Sequence, residues 1–151
     1  MKEVLDKDWM GDEEDEIYKE NILDHFRHPR NFGRLENCTI KNHKYNPVCG
    51  DKIEIFIVIK DNKIKEAKFF GKGCAISMAS ASMLTEKIKN MTVEELKNIK
   101  EKEVLDMIGV PLGLVRVKCG LLSLKTLKEG LEKAEVIEQF KLQHYRGIEE
   151  V

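Results

Sequence analysis

Four cysteines stand at positions 38, 49, 74 and 119, and three of them lie where a side chain can do chemistry. Cys49 falls in Asn46-Pro47-Val48-Cys49-Gly50-Asp51, Cys74 in Gly71-Lys72-Gly73-Cys74-Ala75, and Cys119 in Arg116-Val117-Lys118-Cys119-Gly120. Each is set beside glycine, proline or a charge, at a loop or element boundary. Core cysteines more often sit inside an apolar strand or helix. Cys38, in Asn37-Cys38-Thr39-Ile40, fits that buried, inert case and is left out of the site. No C-x-x-C pair is present, and cytosolic thiols stay reduced, so a disulfide framework is not expected. Three thiolates converging with the carboxylate of Asp51 make a tetrahedral set for zinc. Thiolates equally suit an iron-sulfur cluster. Asp51 has a second reading as a turn- or helix-capping carboxylate. Gly50 and Gly73 are expected to let the backbone approach a metal closely. Cys74 at a helix start is expected to be favoured as thiolate by the helix dipole, and Cys119 by Arg116 and Lys118.

The elements that must carry these residues are legible in the hydrophobic pattern. Ile17, Ile22, Leu23 and Phe26 suit one face of a helix over 17–28, and His28-Pro29 ends it. Residues 37–45 read as a strand. Residues 52–60, KIEIFIVIK, form the clearest strand and the expected centre of a sheet, with Ile53, Ile55, Ile57 and Ile59 on one face. Asp61-Asn62 turns the chain into a strand over 63–70, completing a hairpin. A helix is expected over 74–89, a short one after the capping box Thr92-Val93-Glu94-Glu95, and further helical turns over 101–108. Leu121, Leu124, Leu127 and Leu131 mark a helix over 117–132, and Val136, Ile137 and Phe140 a final one over 134–145. The order predicts an α+β domain, a small antiparallel β-sheet of about three strands covered by helices. His25, His28, His43 and His144 read as surface or turn residues.

The length of 151 residues suits one domain, taken as 17–151 after an acidic tail over 1–16. Lys and Arg total 26 against 27 Asp and Glu, a net charge of -1. That balance gives no reason to expect nucleic acid or a membrane surface as partner. No apolar run approaches the roughly 20 residues of a membrane helix, and the acidic N-terminus does not read as a secretory signal. The expected location is cytoplasmic.

Taken together, Asn-Pro-x-Cys-Gly-Asp at 46–51, Gly-x-Gly-Cys-Ala-Ile-Ser-x-Ala-Ser at 71–80 and Arg-Val-Lys-Cys at 116–119 resemble the signature segments of the IscU/SufU/NifU-type iron-sulfur cluster assembly scaffold proteins. Ile22-Leu23-Asp24-His25-Phe26-Arg27-His28-Pro29-Arg30-Asn31-Phe32-Gly33 is similar to that family's N-terminal segment, and the match runs from about residue 17 to about residue 133. The resemblance implies a SufE/NifU-like fold and a scaffold or carrier rather than an enzyme. Such a protein takes sulfur from a cysteine desulfurase, accepts iron, builds a transient [2Fe-2S] cluster and hands it to apo iron-sulfur acceptor proteins. It implies Cys49, Asp51, Cys74 and Cys119 as ligands of cluster, Zn or Fe ion, with Cys119 or Cys49 receiving sulfur and Lys118, Gly50 and Gly73 around them.

The chain departs from the family pattern in three places. Lys118 stands where the IscU branch has histidine, as in the SufU branch, and a protonated lysine has no lone pair for a metal. Only 44 residues separate Cys74 and Cys119, the uninserted length of the IscU branch. Leu112-Gly113-Leu114-Val115-Arg116 replaces the segment that IscU-type members present to a chaperone, so no chaperone interaction is expected. The rival reading is a zinc-dependent sulfur acceptor or relay of the SufU type using the same residues. A zinc deaminase is excluded by the lack of His-x-Glu and Pro-Cys-x-x-Cys. A structural zinc fits poorly with ligands so far apart in sequence. The oligomeric state is left between monomer and trimer.

Overall fold

The alternating isoleucines of 52–60 do build the middle of a sheet. In the computed structural model, which describes residues 13–149 and the side chains of 19–143, strand β2 (Asp51–Lys60) lies between β1 (Ile40–Asn46) and β3 (Lys63–Lys72). All pairing is antiparallel, in the order β1-β2-β3. β-branched side chains pack well on a pleated surface, and Ile53, Ile55 and Ile57 are wholly buried. Phe56 points to the other face, between Lys41 and Lys68 in the register, with the Lys41 ammonium 5.8 Å from its ring centre. Lysine stems shield apolar surface while keeping the charge in water. Asp61 and Asn62 close the hairpin with φ of 55° and 62°, the double positive φ of a type I′ turn. The free edge of β3 is partly covered by the segment around Phe32: the Gly33 N–H donates to the Phe69 carbonyl (2.8 Å) and the Phe69 N–H to that of Asn31 (3.0 Å). Covering an edge in this way guards it against pairing with another chain.

Helix α1 (Glu13–Arg27) precedes the sheet and α2 (Ala75–Ile88) follows it directly. Every residue of α2 from Ser77 to Thr85 is buried. Its serines and alanines let neighbours come close, and the Ser80 hydroxyl donates to the Gly120 carbonyl at 2.6 Å. Helix α3 (Val93–Lys97) starts with the expected capping box between Thr92 and Glu95. Helix α4 (Glu101–Ile108) stops at Gly109, which is left-handed with φ of 78°. Helix α5 (Leu114–Glu149) runs 36 residues across the sheet and α2. Ile22, Ile40, Leu84, Ile108, Leu124 and Leu127 join the sheet's isoleucines in one core.

Four expectations need correction. The two helices expected over 117–132 and 134–145 are one, because Glu132-Lys133-Ala134-Glu135 are strong helix formers with no breaker among them. Of the apolar face expected on α1, Ile22 is buried but Leu23 and Phe26 are about two-fifths exposed. His25 is no free surface residue: its Nδ1 lies 2.8 Å from the Ser82 Oγ, tying α1 to α2. Burial, with Arg30 nearby, holds the His25 pKa below its ordinary value. Helix α1 also takes in residues 13–16 of the expected acidic tail; residues 1–12 and the side chains of Ile17 and His144 lie outside the described residues.

Candidate metal centre

The site is assembled at the end of the sheet where β1 gives way to β2 and β3 to α2. Asn46, the last residue of β1, pairs with Asp51, the first of β2. Residues 47–50 turn the chain between them, with Gly50 at φ 71°. That turn presents Cys49 inward and at the same time sets Asp51 under it. β3 ends at Lys72, and after Gly73 the chain enters α2 with Cys74 as its N-cap residue. Cys119 comes from the opposite side, in the second turn of α5. The expected helix over 117–132 has Cys119 near its start, but α5 begins at Leu114, three residues sooner and directly after Pro111-Leu112-Gly113.

Cys49, Asp51 and Cys119 meet: one ligand atom of each lies within 4.8 Å of the others. The Cys119 thiol donates toward the Cys49 sulfur at 3.1 Å, and both thiols are free. Asp51 is fully buried, as is Cys119, while Cys49 and Cys74 are half-buried. The Cys74 backbone N–H donates to the Asp51 Oδ1 at 2.8 Å. Asp51 therefore satisfies the start of α2 from a distance, so its capping role and its place in the cluster hold together. Cys74 borders the group rather than joining its tightest part; its sulfur lies 3.7 Å from the Ser77 hydroxyl. Gly73 is required by space: a Cβ there would come 2.4 Å from the Ser77 Oγ and 2.7 Å from the Asp51 Oδ1. Gly50 is required by its positive φ. Lys118 points to solvent and is exposed.

The electrostatics of Cys119 run opposite to expectation. Burial, first, pushes the thiol well above its ordinary range, and hydrogen bonds with Cys49, Asp51 and Cys74 and the charge of Cys74 push the same way. Arg116 and Lys118, both exposed, do not offset this. Without a cation the group is a protonated thiol, and a cation that takes its sulfur must displace the proton. The donor set of two thiols and a carboxylate, closely spaced and largely buried, fits zinc or iron. One further participant escaped the sequence reading. Asn46 is 7% exposed, and its side-chain amide faces both the Asp51 Oδ2 (3.3 Å) and the Cys119 sulfur (3.7 Å). In the sequence Asn46 shows only as the first residue of the Asn-Pro-x-Cys-Gly-Asp segment, with nothing to assign it a contact with the ligands.

A family model described as the NifU-like N terminal domain matches residues 17–140. The chain belongs to the NifU-like N-terminal domain family. Among curated relatives, the zinc-dependent sulfurtransferase SufU of Bacillus subtilis is 36% identical over 138 residues, covering 80% of this chain and 93% of the relative. The iron-sulfur cluster assembly scaffold protein IscU of Thermotoga maritima is 36% identical over 133 residues, covering 78% and 94%. IscU 1 of Archaeoglobus fulgidus is 38% identical over 117 residues, covering 76% and 74%. A crystal structure of FiSufU from Fervidobacterium islandicum, described as a candidate scaffold for the SUF system, superposes with a TM-score of 0.67 at 31% identity, covering 77% of this chain and 97% of that one. The expected fold, a three-stranded antiparallel sheet with packed helices, is the NifU-like one. No described helix is long and apolar enough to cross a membrane.

Proposed function

We propose that this NifU-like domain is an iron-sulfur cluster assembly scaffold. It takes sulfur from a cysteine desulfurase and iron from solution, holds a [2Fe-2S] cluster as cargo on Cys49, Asp51, Cys74 and Cys119, and passes it to apo iron-sulfur acceptor proteins. The observation that carries this reading is the meeting of Cys49 and Asp51, from one turn, with Cys119, from a helix far along the chain, within 4.8 Å. Cys74 stands at the border as the fourth donor.

Sulfur arrives by thiol exchange. A thiolate of the site attacks the outer sulfur of the desulfurase persulfide. The donor's S–S bond breaks, its cysteine leaves as thiolate, and the site cysteine becomes the persulfide. No net oxidation occurs in that step. Reduction of the persulfide to sulfide then takes two electrons from an added thiol or ferredoxin-type reductant. Cys49 is the better first acceptor, because it is half-buried while Cys119 is closed off. Tyr45, Val48, Leu114 and Val115 are exposed apolar residues in the segments that bear the site, and Lys52, Lys72, Arg116 and Lys118 are exposed cations there. A sulfur donor or cluster acceptor has to approach across them.

A second reading has its own support: the same residues hold zinc, and Cys49 relays sulfur without building a cluster. Lys118 in place of a histidine ligand favours it, as does the 36% identity to the zinc-dependent sulfurtransferase of Bacillus subtilis. Anaerobic mixing with a cysteine desulfurase, cysteine, a reductant and either ferrous iron or zinc separates the two. A visible [2Fe-2S] spectrum with stoichiometric labile sulfide is the expected result. Tightly held zinc with faster desulfurase turnover and no cluster would establish the relay instead.

A further inference from the structure

We propose that Asn46 is a positioning residue of the metal centre, its side-chain amide holding the Asp51 carboxylate and the Cys119 sulfur in the ligand set. This rests on the reading of Cys49, Asp51 and Cys119 as ligands. The orientation of the amide is fixed by the turn it begins. The Val48 N–H donates to the Asn46 Oδ1 at 3.3 Å, so the carbonyl end faces the turn backbone. The NH₂ end is thereby aimed inward, with two hydrogens for two acceptors: the Asp51 Oδ2 at 3.3 Å and the Cys119 sulfur at 3.7 Å, a normal length for a bond to sulfur. Asp51 is fully buried, and its other oxygen is taken by the Cys74 N–H. Asn46 thus supplies the second donor that a buried carboxylate needs.

The residue type follows from these constraints. A cation here would compete with a metal for the carboxylate and the sulfur. An aspartate would turn an acceptor toward two acceptors. A serine would still accept from the Val48 N–H but is too short to reach Asp51 and Cys119. Asparagine closes the turn with one end and reaches the ligands with the other. An N–H bonded to a metal-bound thiolate withdraws electron density from sulfur and fixes where its lone pair points. Partners of this kind around metal ligands typically change affinity by about 10–100-fold.

The test uses the full-length chain with Asn46→Ala and Asn46→Ser, zinc affinity by chelator competition, and Co²⁺ as a spectroscopic probe. Metal-free thermal melts set the structural baseline. Both variants are expected to bind zinc about 10–100-fold more weakly than wild type. Both should move the thiolate-to-cobalt charge-transfer band to lower energy, as the sulfur loses its hydrogen bond. Serine separates the two roles, because it keeps the turn and removes the reach. Wild-type affinity and an unshifted band in Asn46→Ser would overturn the proposal and leave Asn46 a turn former. So would lowered melting temperatures in both variants with unchanged metal affinity and spectrum. A wild-type chain that binds neither zinc nor cobalt through sulfur would overturn the reading of the site itself, and the proposal with it.

Discussion

Cys119 and Asp51 have no exposed surface, while Cys49 beside them is half-buried. On the proposed function that gradient would divide the labour of the site, with Cys49 open to a partner and the buried pair holding a metal in a low-dielectric setting. The raised pKa of Cys119 has a consequence for the metal-free chain. Its folded value stands above the ordinary thiol value of 9.0, so the fold favours the neutral thiol. The stability this adds is fully present below pH 9 and is lost as pH rises further, because the unfolded chain ionises first. Metal-free protein is expected to lose melting temperature above about pH 9 more steeply than Cys119→Ala, measured as a pH series of thermal melts. Bound zinc, which takes the thiolate, should abolish that difference. The convergence of Cys49, Asp51 and Cys119 could be anticipated because glycine and proline mark the turn that bears the first two and the break just before α5, although Cys119 itself lies in the second turn of that helix. Asn46 could not, because its role exists only once the 47–50 turn folds its amide back onto Asp51. The charge state of Cys119 is not legible in sequence for a related reason: its neighbours Arg116 and Lys118 are exposed, and burial decides instead.

At the scale of elements, two glycines report how tightly the parts are fitted. Gly73 joins β3 to α2 where a Cβ would strike the Ser77 hydroxyl and Asp51. Gly73→Ala is expected to displace the Asp51 carboxylate and weaken zinc binding by about tenfold or more, read by chelator competition. Gly130 sits inside α5 where the helix crosses β1, and a Cβ would come 2.9 Å from both the Ile40 Cγ2 and the Asn42 Cβ. In an exposed helix, Gly→Ala stabilises by about 1 kcal/mol. Here overpacking costs about 1–3 kcal/mol, so Gly130→Ala should be net destabilising, seen as a lower urea midpoint. The strands, the tight turn at Asp61-Asn62, α2 and the capping box at Thr92 were all readable from periodicity and turn chemistry. The continuity of α5 was not, because its pattern changes rather than stops: Leu131 is the last buried leucine, and Val136, Ile137 and Phe140 beyond it are exposed. A change from a buried to an exposed stretch looks like a boundary in sequence but imposes none on a backbone of good helix formers.

Across the whole molecule the charges nearly cancel, yet the segments bearing the site are basic on their exposed side. Lys52, Lys72, Arg116 and Lys118 are exposed there, and the one carboxylate among them, Asp51, is buried and turned to the thiols. A balanced net charge concealed this, since composition carries no information about placement. The fold as a whole serves to bring a hairpin turn, a helix start and the second turn of a long helix to one place, and its three signature segments are those three pieces. The most direct test is anaerobic cluster assembly and transfer on wild type beside Cys49→Ser, Cys74→Ser, Cys119→Ser and Cys38→Ser. Each is mixed with desulfurase, cysteine, reductant and ferrous iron, then given an apo-ferredoxin. A [2Fe-2S] spectrum is expected on wild type and Cys38→Ser, with movement of the cluster to the ferredoxin, and no cluster in the other three variants. A cluster that persists in Cys49→Ser and Cys119→Ser, or that fails in Cys38→Ser as it does in them, would contradict the proposed function.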